Sequence, residues 1–397
     1  MRADLRQPRP RVRRVARSRY PDVLPHRTVS RRNAILAVLV LSACGGDDGY
    51  DWDLPPGFPE PRVPEDDAMS IEKAELGRYL FYDTRLSGNE TQSCASCHLQ
   101  SLAFTDGLAQ SPGSTGDMTP RGSMSLANVA YAPTLTWANS ALRDLERQAL
   151  VPMFGEDPVE LGLAGRETEM LDRLRAEPVY QDLFPIAFPD EADPFTVANV
   201  TKALASFQRT LISGDSPYDR YANGDEDAIS DSAKRGAELF FGEELECFHC
   251  HGGFVFSASV DHANNVFDQA SFQNNGLYNI DGRGAYPASN TGLFEHTGDP
   301  GDMGRFKPPT LRNIALTAPY MHDGSLETLD AVLDHYARGG TLTTEGENVG
   351  DGALSPNKSI FVNGFELTEE RRADMMAFFE SLTDEGFITN PAFSDPW

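Results

Sequence analysis

Apolar residues recur at helical spacing in four stretches of this chain. Ile71, Leu76, Tyr79 and Leu80 follow the capping residue Ser70, and Val197, Val200, Leu204, Phe207 and Leu211 form a longer stripe. Lys234 to Phe240 loosely repeats Lys73 to Tyr79, and Met375, Phe378, Phe379 and Leu382 mark a last helix starting near Thr368. Alternating, strand-like patterns are sparse. Residues 252–304, rich in Gly and Asn, read as a long loop of the kind that carries function. The pattern predicts a mainly α protein of two tandem units, 70–215 and 228–386. The break falls near residues 212–228, where Ser213-Gly214-Asp215-Ser216-Pro217 and Asn223-Gly224-Asp225 interrupt the periodicity. Residues 45–69, with their Gly, Asp and Pro, predict a flexible tether.

Each unit carries the same small motif just after its first helix. Cys94-Ala95-Ser96-Cys97-His98 and Cys247-Phe248-His249-Cys250-His251 both place two thiols one turn apart with a histidine next in line. That spacing suits covalent attachment of a haem, with the thiols adding to two vinyl groups and the imidazole under the iron. A zinc ribbon is the competing reading of two cysteine pairs. It fits poorly, because the pairs lie about 150 residues apart and a histidine follows each. The motifs therefore predict two cytochrome-c-type haem domains with long loops, each holding one covalent haem c.

Charge and the N-terminus place this pair of units in a compartment. The chain of 397 residues has a net charge of −26, although residues 1–44 alone carry eleven arginines against Asp4 and Asp22. A body so acidic excludes nucleic acid as a partner and favours basic ones. The apolar run Ala34 to Ala43 is too short to span a bilayer, and after so many arginines it reads as an export signal over 1–44. It ends in Leu41-Ser42-Ala43-Cys44, which looks like a lipobox with Cys44 as the lipidated residue; an ordinary cleavage site beside a stray cysteine is the alternative. With Cys44 as anchor, the other four cysteines are used by the two haems, predicting a periplasmic protein held to a bacterial membrane through its lipid alone.

From Ala74 to Leu382 the chain resembles the di-haem cytochrome c peroxidase and MauG family. Leu76-Gly77-Arg78-Tyr79-Leu80-Phe81, Phe306-Lys307-Pro308-Pro309-Thr310-Leu311-Arg312-Asn313 and Ala318-Pro319-Tyr320-Met321-His322-Asp323-Gly324 carry the likeness, and Leu145 to Glu156 is closest to the MbnH-like enzymes. The resemblance implies an oxidoreductase in which hydrogen peroxide raises haem iron to a high-valent state. The oxidising power then passes to a residue, such as a tryptophan, of a partner protein. A conventional member would instead take electrons from a small redox protein, and a non-catalytic electron carrier is the reading from another class.

The same resemblance assigns roles. His98 and His251 are axial ligands. Conventional members cap the first iron with a second histidine, but here no histidine lies between His98 and His249, which implies an open face for peroxide. Glu160 and Gln148 match the family's distal pair, as proton carrier and orienting amide, with Arg121 as an added positive charge. Trp137 falls where the family places an indole between the haems. Tyr336 takes the family's methionine position as second ligand to the C-terminal iron, with His335, Met321 and His322 as rivals; a phenolate lowers the iron potential where methionine raises it. Carbonyls of Thr317 and Pro319 match calcium ligands, but the accompanying side chain is lost at Gly122. A surface tryptophan that serves as exit for the hole in the MauG type is replaced by Leu245.

Overall fold

The computed structural model describes residues 50–267 and 269–397. The expected export signal with Cys44, and the first residues of the expected tether, lie outside them. The N-terminal half contains α1 (Ile71–Tyr82), α2 (Leu145–Phe154), α3 (Glu167–Ala176), α4 (Pro178–Ala187) and α5 (Val197–Arg209). Then come α6 (Pro217–Ala222), α7 (Asp231–Phe240), α8 (Phe248–His251), α9 (Phe294–Thr297), α10 (Leu329–Arg338), α11 (Glu369–Ser381) and α12 (Glu385–Thr389). Among the described residues the one sheet is a short antiparallel hairpin, Leu342–Thr343 against Gly350–Asp351. The fold is mainly α, as the periodicity predicts, and no described helix is long and apolar enough to cross a membrane.

The helix starts follow from local chemistry. Ser70 Oγ accepts the Lys73 N–H at 3.1 Å to open α1, and the Ser230 and Thr368 side chains cap α7 and α11 in the same way. Two crossings then organise the halves. α1 lies so close to α5 that a Cβ on Gly77 would stand 1.9 Å from the Ala203 carbonyl oxygen and 2.8 Å from Phe207 Cβ. α7 crosses α11 with the same geometry, since a Cβ on Gly236 would stand 2.0 Å from the Asp374 oxygen and 2.8 Å from Phe378 Cβ. Only glycine permits backbones to approach to that distance.

Each crossing seeds its own core. The first gathers Leu76, Leu80, Phe81, Leu204 and Phe207; the second gathers Phe240, Leu333, Met375, Phe378 and Leu382. Each such large side chain, fully buried, contributes about 1.5–3 kcal/mol. Ala138, Leu277, Tyr278, Tyr286 and Phe306 form a third cluster, against which Trp137 and Met321 pack.

Three segments depart from the expected boundaries. Residues 50–69 are packed rather than loose over their described length. Phe58 stacks edge-on against Tyr131 and Phe254, Arg62 pairs with Asp261 at 2.7 Å, and Asp67 and Met69 are buried. The joint near 213–216 is also buried, because Ser213 Oγ, Gly214 N–H and Asp215 N–H all donate to Asp384 Oδ2 at 2.9–3.1 Å. Finally, the chain after α11 returns to the first half. Phe387 and Phe393 enter the N-terminal core, and the Tyr82 hydroxyl donates to the Phe393 carbonyl at 2.6 Å.

Candidate functional site

The two cysteine motifs build the same turn. Cys97 N–H and His98 N–H point to the Cys94 carbonyl at 3.2 and 3.1 Å; Cys250 N–H and His251 N–H point to the Cys247 carbonyl at 3.2 and 3.0 Å. None of these four thiols is in a disulfide. Burial pushes Cys94 and Cys247 up to about 12, so both stay protonated rather than reactive as thiolates.

Each motif histidine is then fixed by a carbonyl. His98 Nδ1 lies 2.8 Å from the Phe104 oxygen, and His251 Nδ1 lies 3.1 Å from the Pro309 oxygen and 3.3 Å from that of Phe256. A carbonyl accepts only from N–H, so Nδ1 carries the proton and Nε2 is left as the metal-binding nitrogen. Burial depresses both imidazoles, His251 to about 4, which keeps them neutral as a ligand must be. Phe104 and Phe256, whose carbonyls do this, both adopt left-handed backbone, φ 62° and 52°. Non-glycine residues pay for that conformation, and here it aims the two oxygens.

A cavity opens over each motif. The N-terminal one, about 320 Å³, is lined by Cys94, Cys97 and His98 and also by Arg121, Gln148 and Glu160. The C-terminal one, about 170 Å³, is lined by Cys247, Cys250 and His251 together with Tyr336, Met321 and His322. Trp137 is the one residue in both walls, and its indole N–H donates to the Gly122 carbonyl at 2.9 Å. Thiol pairs, oriented imidazoles and apolar walls together fit one covalent haem in each cavity.

Glu160 owes its place to a tight loop contact. A Cβ on Gly113 would fall 1.9 Å from the Val159 oxygen and 3.0 Å from Glu160 Cα, so the 111–119 loop can press this carboxylate into the cavity only with glycine there. Burial raises the Glu160 pKa above the usual carboxylate range. That suits a group that must both give and take a proton. Gln148 faces the same cavity from α2. Arg121, expected to add positive charge, is also there, and it is held by partners. Its Nε donates to Asn290 Oδ1 at 2.6 Å, its other end pairs with Glu295, and its charge sits 5.5 Å from the Phe306 ring centre.

On the C-terminal side, adjacent residues of α10 separate. Tyr336 faces the cavity, whereas His335 does not line it and directs Nδ1 to Thr341 Oγ1 at 2.7 Å. Burial raises the Tyr336 phenol, so a phenolate there needs a positive partner such as a metal centre. Met321 Sδ accepts from Asn275 Nδ2 at 3.1 Å, and the His322 ring stacks on Phe306 at 3.6 Å. Leu245 is buried in this wall and offers no exit to the surface.

The expected calcium finds no support. Gly122 brings no side chain, and its carbonyl accepts the Trp137 indole N–H at 2.9 Å. Among the described residues, the one gathered set of His, Cys or acidic ligand atoms is Glu243, Glu246 and His249, elsewhere on the molecule. Sequence reasoning missed Asn275 and Lys307, both in the C-terminal wall. Only the Phe306–Asn313 motif pointed near either.

Comparison with known proteins agrees with this geometry. A family model described as di-haem cytochrome c peroxidase matches residues 71–227. The methylamine utilization protein MauG of Methylorubrum extorquens is 36% identical over 83% of this chain and 83% of its own. The cytochrome-c peroxidase IdrP1 of Pseudomonas sp. strain SCT is 36% identical over 88% of this chain and 90% of its own. Among solved structures, a MauG-like protein associated with microbial copper homeostasis superposes with a TM-score of 0.86 at 51% identity, covering 88% of this chain and all of that one. The chain thus belongs to the di-haem cytochrome c peroxidase and MauG family, a family of peroxide-linked oxidoreductases that carry two c-type haems.

Proposed function

We propose that this protein is an exported, MauG- and MbnH-like di-haem oxidase that uses hydrogen peroxide to oxidise a residue, a tryptophan in the leading reading, of a partner protein. The observation that carries the proposal is the contrast between the cavity walls: an acid and an amide beside the first motif, a tyrosine beside the second. When bound, the haems supply the redox chemistry, drawing two oxidising equivalents from peroxide and passing them on singly.

The chain's own residues supply the rest. Glu160 takes the proton from the peroxide oxygen nearer the iron and returns it to the departing oxygen, which leaves as water. Gln148 orients the peroxide through its amide. Trp137, in both walls, gives an oxidisable ring between the two centres. Tyr336 provides an anionic oxygen that favours the more oxidised iron, in keeping with storage of oxidising power rather than quick discharge. The leader supports export to the periplasm, with Cys44 as the lipid anchor.

The likeness to a copper-associated MauG-like protein supports a small exported copper protein as the partner. The test is to incubate the holoprotein with peroxide and such a partner encoded beside its gene, then map the partner's peptides by mass. Gain of one oxygen atom at a tryptophan, with one peroxide consumed and one water released, is the expected result. The second reading, a peroxidase fed by a small electron carrier, is favoured by the relatives named cytochrome-c peroxidase. It predicts rapid oxidation of a reduced carrier and an unmodified partner.

A further inference from the structure

Two polar side chains in the C-terminal wall are buried without enough hydrogen-bond partners. Lys307 is 7% exposed, and its ammonium, which has three N–H bonds to give, has one acceptor, the Thr134 carbonyl at 2.6 Å. His322 is 4% exposed, and its Nε2 has no hydrogen-bond partner; the Asp323 carboxylate, which accepts from the Tyr278 hydroxyl, stands 3.8 Å away. Both side chains line the same cavity. Leaving a buried ammonium with a single neutral acceptor is strongly unfavourable, because its lost hydration is not replaced. The Lys307 backbone N–H is itself held by the Trp137 carbonyl at 2.8 Å, so the residue is not there by slack packing.

A ligand that answers both orphans must be anionic, fit this cavity and reach it as a matter of course. The haem attached at Cys247 and Cys250 carries two propionate carboxylates on the edge away from its thioether links. We propose that Lys307 and His322 form the seat of those propionates, with the Lys307 ammonium bridging a propionate to the Thr134 carbonyl of the N-terminal half. Lys307 is then a positioning residue: it fixes the plane of the C-terminal haem and ties it to the strip of chain, Thr134 to Trp137, that also borders the N-terminal cavity. Besides the attachment residues, the other titratable groups facing this cavity are Glu246, Tyr320 and Tyr336, with Asp323 beside His322 and Arg121 across Phe306. None of these is a hydrogen-bond partner of Lys307, whose ammonium donates to the Thr134 carbonyl and whose backbone N–H donates to that of Trp137.

Spectroelectrochemical titration of the holoprotein tests this without an activity assay. Removing a cation beside a haem stabilises ferric over ferrous iron, so Lys307→Met is expected to lower the midpoint potential of the C-terminal haem more than that of the N-terminal one. Lys307→Arg, which keeps the charge, should leave both near wild type, and His322→Phe should move the C-terminal potential the same way but less. A Lys307→Met protein with both haems attached and its C-terminal potential unchanged overturns the proposal, as does a larger shift at the N-terminal haem. If Lys307→Met does not hold two haems, Lys307→Arg decides: recovery with wild-type potentials supports the seat, and equal loss of haem assigns Lys307 to packing and overturns it.

Discussion

Around His98 and around His251 the chain builds the same shell. A glycine-bridged helix crossing, a Cys-Cys-His turn and a left-handed phenylalanine carbonyl on the imidazole Nδ1 occur in both halves. The halves part on the face opposite that histidine. One cavity is the larger and holds Glu160 and Gln148; the other is tighter and holds Tyr336, with Lys307 and His322 at its edge. What is shared positions a haem, and what differs decides its chemistry. On the proposed function, identical attachment with unlike cavity walls would give one centre room for a small reactant and the other a protein ligand.

The largest expected effect strikes the difference. Glu160→Gln keeps the size and removes the proton, so the rate of reaction with peroxide is expected to fall by about 10²–10⁴-fold, the range for loss of a general acid–base group, as read by stopped flow. The wild-type rate should also fall with acidity. Burial raises the Glu160 pKa, so as pH drops through that raised value the carboxylate takes up a proton and ceases to accept one from peroxide. A Gln variant with the wild-type rate, or a wild-type rate flat over that range, would remove Glu160 from the chemistry.

Next comes the tyrosine. Tyr336→Phe is expected to alter the visible spectrum and raise the potential of the C-terminal haem, whereas His335→Ala, whose Nδ1 faces Thr341, should leave both unchanged. The reverse pattern would make His335 the ligand and dissolve the contrast drawn above.

The smallest effect tests what the halves share. Gly77→Ala and Gly236→Ala each force a Cβ to within about 2 Å of a backbone oxygen, 1.9 and 2.0 Å respectively. Each should therefore cost about 1–3 kcal/mol or more through overpacking, seen as a lower melting temperature of the holoprotein. Equal losses support equivalent crossings; an unchanged Tm in either variant would show that its crossing can relax.

How much of this was legible beforehand follows from the range of the signals. Val200, Leu204 and Phe207 on α5, or Met375 and Phe378 on α11, announce themselves by spacing within one helix, and the haem motifs lie within five residues. The segment 50–69 misled because its prolines and acids read as tether, while Phe58 and Arg62 find partners some 70 to 200 residues away in the fold. The tail after α11 is too short for periodicity, yet Phe387 and Phe393 enter the first core. The pairing of Arg121 with Glu295 could not be read either, because the two are remote in sequence. Lys307 went unnoticed since a lysine is ordinarily a surface residue, and only the fold shows it buried.

The central claim is that the two haem sites are alike in attachment and unlike in their opposite faces. Electron paramagnetic resonance of the resting, fully oxidised protein tests it most directly. One high-spin haem, from a first site that offers no second histidine, and one low-spin haem, from a site closed by Tyr336, are predicted. Two low-spin haems would mean that a residue caps the first iron as well, and would contradict the account.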